Sequence, residues 1–260
     1  MYEVTTTRFE RLSNLRSRLR SDKPTVGTWM QIPSPDVAEL LASGGFDWVT
    51  IDLEHGAISR HQLPDLFRAI EFHAAVPLAR VALPDADLCQ QALDSGAAGV
   101  VVPRVESAEQ LTDIVAGCMW PPAGKRGVGF SRANLFGRRF EEYKTEAQQP
   151  LIVAQIESKN AVAVIGSLLA VRGVDAVMIG PYDLSASLGV AGQVDHPEVR
   201  AQIGKVLAAC RKAGVPSGIH VVQPDARRLD EEIAAGHRFI AYGTDAIFVS
   251  SSANNPRGRR

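Results

Sequence analysis

At 260 residues the chain is longer than a common domain, yet α/β barrels reach this length as one unit. Its 45% hydrophobic content is enough for a sizeable core, and 28 Lys and Arg against 29 Asp and Glu leave a net charge of −1, which excludes any general pull toward nucleic acid or membranes. Three cysteines, Cys89, Cys118 and Cys210, are scattered without CxxC or Cys/His ligand spacing, so a reduced, cytoplasmic setting is expected.

The opening residues lack the apolar core of a signal peptide, and no run of about 18 apolar residues occurs, so no membrane span is expected. Residues 8–20 are rich in Arg and Ser, but Glu3 and Glu10 speak against an organelle transit peptide. Phe9, Leu12, Leu15 and Leu19 follow helical spacing, which predicts an amphipathic helix packed on the body, within an N-terminal arm of residues 1–24. Residues 25–32 read as the first strand, and Ser34-Pro35-Asp36 opens a helix that Gly44-Gly45 ends. Residues 46–53 form the second strand, residues 60–74 a helix and residues 76–81 the third strand. A helix starts at Pro84-Asp85 and stops at Gly96; residues 100–103 are the fourth strand, and a helix covers 108–118.

Residues 121–137 then form a long loop with four glycines, and long loops inside compact domains are usually functional. A polar helix at 141–148 leads into the fifth strand at Leu151. A helix at 159–171, a strand at 174–179, a helix at 197–213, a strand at 216–222 and a helix at 225–235 follow. The eighth strand, 239–242, precedes a short apolar segment at 246–249 and a loose basic tail, 250–260. Eight βα units without a composition shift predict a single-domain (β/α)8 TIM barrel over residues 25–249, with its active site at the C-terminal ends of the strands.

The chemistry collects at those ends. Strand one carries Trp29 and Gln31, strand two Asp52 and His55, strand three Arg80. Strand five begins as a continuous apolar run and then admits Gln155 and Glu157, which share a parity and face one side. Strand six runs through Gly180-Pro181-Tyr182 into Asp183. A carboxylate closing a buried strand is costly unless a cation or hydrogen bonds hold it. Glu157 and Asp183 are open to two readings: each caps the helix after it, or together they bind a hard divalent cation. Two such carboxylates on successive strand ends favour the metal. Taken singly, His55 reads equally as a turn residue, Arg80 as the neutraliser of Asp52, and Asp94 as a surface residue.

Together, residues 46–55, 122–129, 155–157 and 179–185 resemble the class II pyruvate aldolases of the HpcH/HpaI family, of the 4-hydroxy-2-oxoheptanedioate and 2-dehydro-3-deoxyglucarate types. The resemblance spans about 24–248. It implies that Glu157 and Asp183 are metal ligands for Mg2+, Mn2+ or Co2+, that Gln155 contacts substrate, that His55 is the general base and that Arg80 stabilises the developing enolate. It further implies that Asp94 reaches a neighbouring subunit's histidine within a homo-oligomer, a hexamer, and that the backbone N–H at Tyr182 binds the pyruvate carboxylate. Trp29 and Asp183 join Gln155 and Tyr182 as substrate-binding positions. The chain departs from the family pattern at Tyr182, where a small residue is common, in the loop 130–136, and in a short C-terminal helix.

The chemistry is coherent by itself. A 2-oxo acid chelates a divalent cation, which acts as Lewis acid for carbon–carbon cleavage, while Arg80 adds fixed positive charge and His55 takes the proton of the 4-hydroxyl. No lysine closes a strand, which argues against a Schiff base. The expected reaction is reversible cleavage of a 4-hydroxy-2-oxo acid to pyruvate and an aldehyde, with oxaloacetate decarboxylation as a side reaction. The alternatives are a CoA-thioester lyase of the citrate-lyase β-like branch, which needs a nucleotide-sized basic pocket, and a non-catalytic binding barrel. Arg132 and Asn134 are candidate contacts for an anionic or hydroxylated aldehyde tail, although an arginine in an exposed loop is more often just solvated.

Overall fold

The computed structural model describes residues 6–256 and 258, so the first residues of the arm, Glu3 among them, and three tail positions lie outside the described residues. Eight parallel strands pair in chain order, and β8 returns to β1 to close the barrel. The strands are β1 (Thr25–Met30), β2 (Trp48–Asp52), β3 (Val76–Arg80), β4 (Gly99–Val102), β5 (Leu151–Ile156), β6 (Ala176–Ile179), β7 (Ser217–Val221) and β8 (Phe239–Thr244). They are buried on both faces, as their continuous apolar runs require of parallel strands covered by helices.

Helix α1 (Arg8–Arg20) starts from a Thr7–Glu10 capping box. Its Leu12, Leu15 and Leu19 share one buried cluster with Trp48, Leu78, Val101, Val153, Met178 and Phe239 and so close the floor of the barrel. Gly27 permits this packing, because a Cβ there would overlap the Trp48 ring, which stacks on Phe239 at 4.2 Å. Arginines of α1 staple the floor to the loops that precede the strands. Arg16 pairs with Asp175 at 2.7 Å and donates to the Gln149 and Pro150 carbonyls. Arg8 reaches Glu71 and Glu146, and Arg18 reaches Asp47.

Helices α2 (Pro35–Ser43), α3 (Leu63–Phe72), α4 (Ala86–Ser95), α5 (Ala108–Cys118) and α6 (Phe140–Ala147) fall where the sequence predicts them. Ser34, Asp85 and Ser107 supply N-cap oxygens for α2, α4 and α5. The expected helix at 159–171 is instead two short ones, α7 (Lys159–Ala163) and α8 (Ile165–Leu169). The break falls at Val164-Ile165-Gly166, three poor helix formers in a row. A further helix, α9 (Pro181–Ser187), starts directly after Gly180 with Pro181 at its first position. Then come α10 (Pro197–Ala213), α11 (Ala226–Ala235) and α12 (Asp245–Ser252). α12 begins earlier than the apolar segment at 246–249 and runs three residues into the stretch expected as a tail, because Thr244 caps it and Ser250 and Ser251 bond back to its own carbonyls.

Within the loop 121–137, Asn134 is fully buried and acts as a staple. Its Oδ1 accepts from the Ser131 and Gly137 amides, and its Nδ2 donates to the Gly129 carbonyl. Arg132 pairs with Glu71 at the floor and packs against Gly96. Both side chains are thus tied up away from the mouth of their own barrel, which corrects the expectation that they contact an aldehyde tail there.

Candidate active site

A cavity of about 240 Å³ opens at the C-terminal ends of the strands. Its wall includes Trp29, His55, Arg80, Gln155, Tyr182 and Asp183, six of the expected positions. On one side Arg80 and Asp52 form a buried fork, Nε to Oδ1 at 2.9 Å and Nη2 to Oδ2 at 2.7 Å. Asp52 also accepts from Gln31 Nε2 at 2.9 Å and from the amides of Glu54 and His55. Burial pushes the Asp52 carboxyl up, but the Arg80 fork and these further donors outweigh it and hold the group below its ordinary value. The guanidinium lies over the Trp29 ring, 4.1 Å from its centroid. Its position is therefore fixed from two directions before any substrate arrives.

Glu157, 6% exposed, is not itself in the cavity wall but stands behind Gln155, which is. The Arg104 amide donates to its Oε1 at 2.6 Å, and the Gln155 amide donates to its Oε2. Burial drives the Glu157 carboxyl up to about 7; Glu54 and Asp183 add to the rise, against the two hydrogen bonds. Asp183 is exposed, in the first turn of α9. It therefore reaches the site from a helix rather than from a strand end, a placement hidden while Gly180-Pro181 reads only as a break.

The residues present fit a hard divalent cation. Among the described residues no group of three or more His, Cys, Asp or Glu could hold a metal by itself. Mg2+ and its kin typically take one or two carboxylates and leave other positions to water and substrate oxygens, which is the set that Glu157 and Asp183 offer. Gln155 Oε1 is buried without a partner beside them. A Cβ on Gly180 would stand 3.0 Å from Glu157 Cβ and Oε2, so glycine keeps this cradle open.

His55 is exposed at the mouth, with its backbone N–H tied to Asp52. Tyr182 is 46% exposed on the opposite rim. Asp94, the penultimate residue of α4, does not line the cavity; burial raises its carboxyl, with Arg126 and Gln90 opposing. Two supporting residues escaped the sequence reading. Glu54 bridges Arg80 Nη1 at 3.1 Å and the Arg104 guanidinium at 2.7 Å. Arg104 takes up φ +51°, which aims its amide at Glu157. Glu54 stands inside a quoted motif and was within reach; a left-handed non-glycine such as Arg104 leaves no sequence signal.

Fold and site define a (β/α)8-barrel enzyme whose pocket holds a fixed arginine and Asp183 in its wall, with the Glu157 carboxylate just behind it. The chain belongs to the HpcH/HpaI aldolase/citrate lyase family, whose model matches residues 25–252. It is 36% identical over 246 residues to a hydroxypyruvate/pyruvate aldolase of Roseobacter denitrificans, covering 94% of this chain and 95% of that one. It is also 36% identical over 245 residues to a 2-keto-3-deoxy-L-rhamnonate aldolase of Escherichia coli, covering 93% and 91%. The crystal structure of a family protein from Burkholderia cenocepacia superposes with TM-score 0.87 at 34% identity, over 92% of this chain and 96% of that one.

Proposed function

We propose that the protein is a divalent-metal-dependent aldolase that cleaves or forms 4-hydroxy-2-oxo acids, with pyruvate or a close analogue as one partner and an aldehyde as the other. The observation that carries this reading is one cavity whose wall holds both Arg80, forked to Asp52, and Asp183, with Glu157 held directly behind that wall by Gln155. Glu157 and Asp183 would hold the cation, which supplies Lewis acidity at the 2-oxo group when bound. Arg80 sets positive charge where the C2 oxygen becomes negative, and its fork to Asp52 means no reorganisation is needed at that moment. His55 takes the proton of the 4-hydroxyl as the C3–C4 bond breaks. That bond's electron pair passes to the oxo-acid fragment as its enolate, the 4-carbon leaves as the aldehyde, and protonation at C3 yields the oxo acid. Gln155 steers the cradle through Glu157, and Trp29 braces Arg80.

We extend the reading to a homo-oligomer, a hexamer, in which Asp94 serves a neighbour's His55. Asp94 is remote from its own cavity wall, and Val128, Phe130, Leu135 and Phe136 stand exposed in the loop that follows the buried Arg126. Apolar side chains grouped in this way suit burial against a second copy. The buried free thiols of Cys89, Cys118 and Cys210 suit a reducing compartment such as the cytoplasm. Among the described residues no helix is long and apolar enough to cross a membrane.

The CoA-thioester reading finds little support. A second cavity shares Pro181, Tyr182, His220 and Val222 with the first and holds Arg200, Arg227 and Arg228. Those arginines are already committed to Asp195, Glu231 and Glu232, which leaves no free cation for nucleotide phosphates. The test is a screen of aldehydes against pyruvate with Mg2+, Mn2+ or Co2+, read by product detection. Condensation that an excess of chelator abolishes is expected; no product with any aldehyde and metal would sink the proposal.

A further inference from the structure

His220 lines the same cavity, and the proposed chemistry leaves it without a task. It belongs to β7, and its ring stacks on Trp29 with centroids 5.2 Å apart and planes 15° from parallel. Its Nε2 lies 3.1 Å from the Gly243 carbonyl oxygen. A carbonyl can only accept, so Nε2 carries the hydrogen, and Nδ1 of the neutral ring is a bare acceptor. Burial, with Arg80 adding to it, pulls the imidazole down to about 4 against the opposing pull of the Gly243 carbonyl and Asp52, so the ring is neutral near pH 7. Among the described residues Nδ1 meets no donor, and it is not sealed in the wall as Trp29 Nε1 is.

Apart from Gln155 Oε1 on the Glu157 side, the neighbouring polar groups are committed. Thr244 Oγ1 accepts from the Ile247 amide, the Gln31 amide donates to Asp52, and Arg80 is held by Asp52 and Glu54. His220 Nδ1 is left as an acceptor open to a ligand. Depth decides what it meets. The oxo acid, drawn to the cradle with its C2 oxygen toward Arg80, takes the inner end of the cavity. The aldehyde joins at C3 from the mouth, where His55 and Tyr182 are exposed. His220 lies deeper than the exposed His55 and Tyr182 and close enough for the Arg80 charge to act on its ring, so it stands beside the oxo acid rather than beside the incoming aldehyde.

We propose that His220 is a specificity-determining residue for the nucleophile, its Nδ1 accepting a hydrogen bond from a hydroxyl on C3 and so selecting 3-hydroxy-2-oxo acids over pyruvate. This rests on the aldolase reading. A hydroxyl desolvated at that depth with no acceptor would be left unpaired, whereas one bonded to Nδ1 gains a net hydrogen bond worth about tenfold in affinity.

The experiment uses the full chain with Mg2+ and the probes hydroxypyruvate and pyruvate. Calorimetry gives the dissociation constant of each, and NMR in D2O follows exchange of the C3 hydrogens. Wild-type protein is expected to bind hydroxypyruvate about tenfold more tightly than pyruvate. His220→Phe, which keeps a ring against Trp29, should bring the ratio of the two constants close to one, and His220→Gln, which keeps an acceptor, should retain part of it. In wild-type protein the nitrogen shifts of His220 should report the Nε2–H tautomer, and hydroxypyruvate but not pyruvate should perturb Nδ1. Equal or tighter binding of pyruvate by wild-type protein overturns the inference without recourse to any variant, as does a ratio that His220→Phe leaves unchanged. Failure of both oxo acids to exchange C3 hydrogens in folded, metal-loaded wild-type protein sinks the aldolase reading instead.

Discussion

Arg80 and Asp52 meet through two nearly equal hydrogen bonds, at 2.9 and 2.7 Å, with both side chains almost wholly buried. They are paired across adjacent strands β2 and β3, in register. The same carboxylate also receives the Glu54 and His55 amides, so it fixes the start of the loop that carries the proposed base. One buried anion thus positions both the arginine and the histidine.

Removing that anion should therefore cost stability as well as activity. A buried ion pair broken on one side typically loses about 3–5 kcal/mol, and since Glu54 stays on Arg80 Nη1 the loss here should fall at the low end of that range. We expect Asp52→Ala to lower the unfolding free energy by roughly that amount, read from urea denaturation. A loss below about 1 kcal/mol would mean that water enters and solvates Arg80 at little cost.

His55 and Arg80 should separate by reaction. A general base contributes about 10²–10⁴-fold, and only where its proton moves. Aldol cleavage needs the 4-hydroxyl deprotonated, whereas loss of CO2 from oxaloacetate does not. His55→Ala should cripple cleavage and spare much of the decarboxylation, while Arg80→Ala should damage both. Both rates would be measured at saturating metal. Equal losses in the two reactions for His55→Ala would make His55 a structural residue.

Cation binding should depend on pH through Glu157. Its carboxyl titrates at about 7 in the metal-free protein, raised above the ordinary value, so below pH 7 a cation must displace a proton. Apparent affinity should then weaken about tenfold for each unit below 7 and level off above it. Folding responds with the opposite sign: with metal chelated, Glu157 costs stability as pH rises from its ordinary 4.5 through about 7, and Glu157→Gln removes that slope. Free Mn2+ measured by electron paramagnetic resonance between pH 5.5 and 8.5 checks the affinity. A flat profile would remove Glu157 from the ligand set.

Assembly offers an independent check on Asp94. Phe136 is 67% exposed, and Phe136→Asp should break a subunit contact without touching the cavity. Sedimentation should report smaller species, with aldol activity falling in parallel, and Asp94→Asn should lower activity while leaving the assembly intact. A fully active monomer would leave Asp94 with no role in catalysis.

The barrel was legible because buried parallel strands read as unbroken apolar runs, and Asp85, Gly96 and Pro197 punctuate helices in conventional ways. Six of the expected site residues share one cavity because the strand ends converge there. Local pattern failed where the outcome rests on distant partners. Arg132 follows Glu71, far away in sequence, and Asn134 turns inward to satisfy its own loop. Nothing in the sequence marks His220, since the stack on Trp29 and the bond to Gly243 join β7 to β1 and β8. The start of α9 was misplaced, with Asp183 read before the helix and not in its first turn, because Pro after Gly serves a turn and a helix start equally well.

Helix α1 has a temporal consequence. Its leucines share a cluster with residues of β1 to β6 and of β8, and its Arg16 clasps Asp175, more than 150 positions downstream. A ribosome makes this helix long before its seat exists, since the seat includes Phe239 of the last strand. Until then its apolar face has nowhere native to go, and contacts so distant in sequence form slowly. The element translated early must wait for the ring to close, which makes it a natural client for chaperones during synthesis.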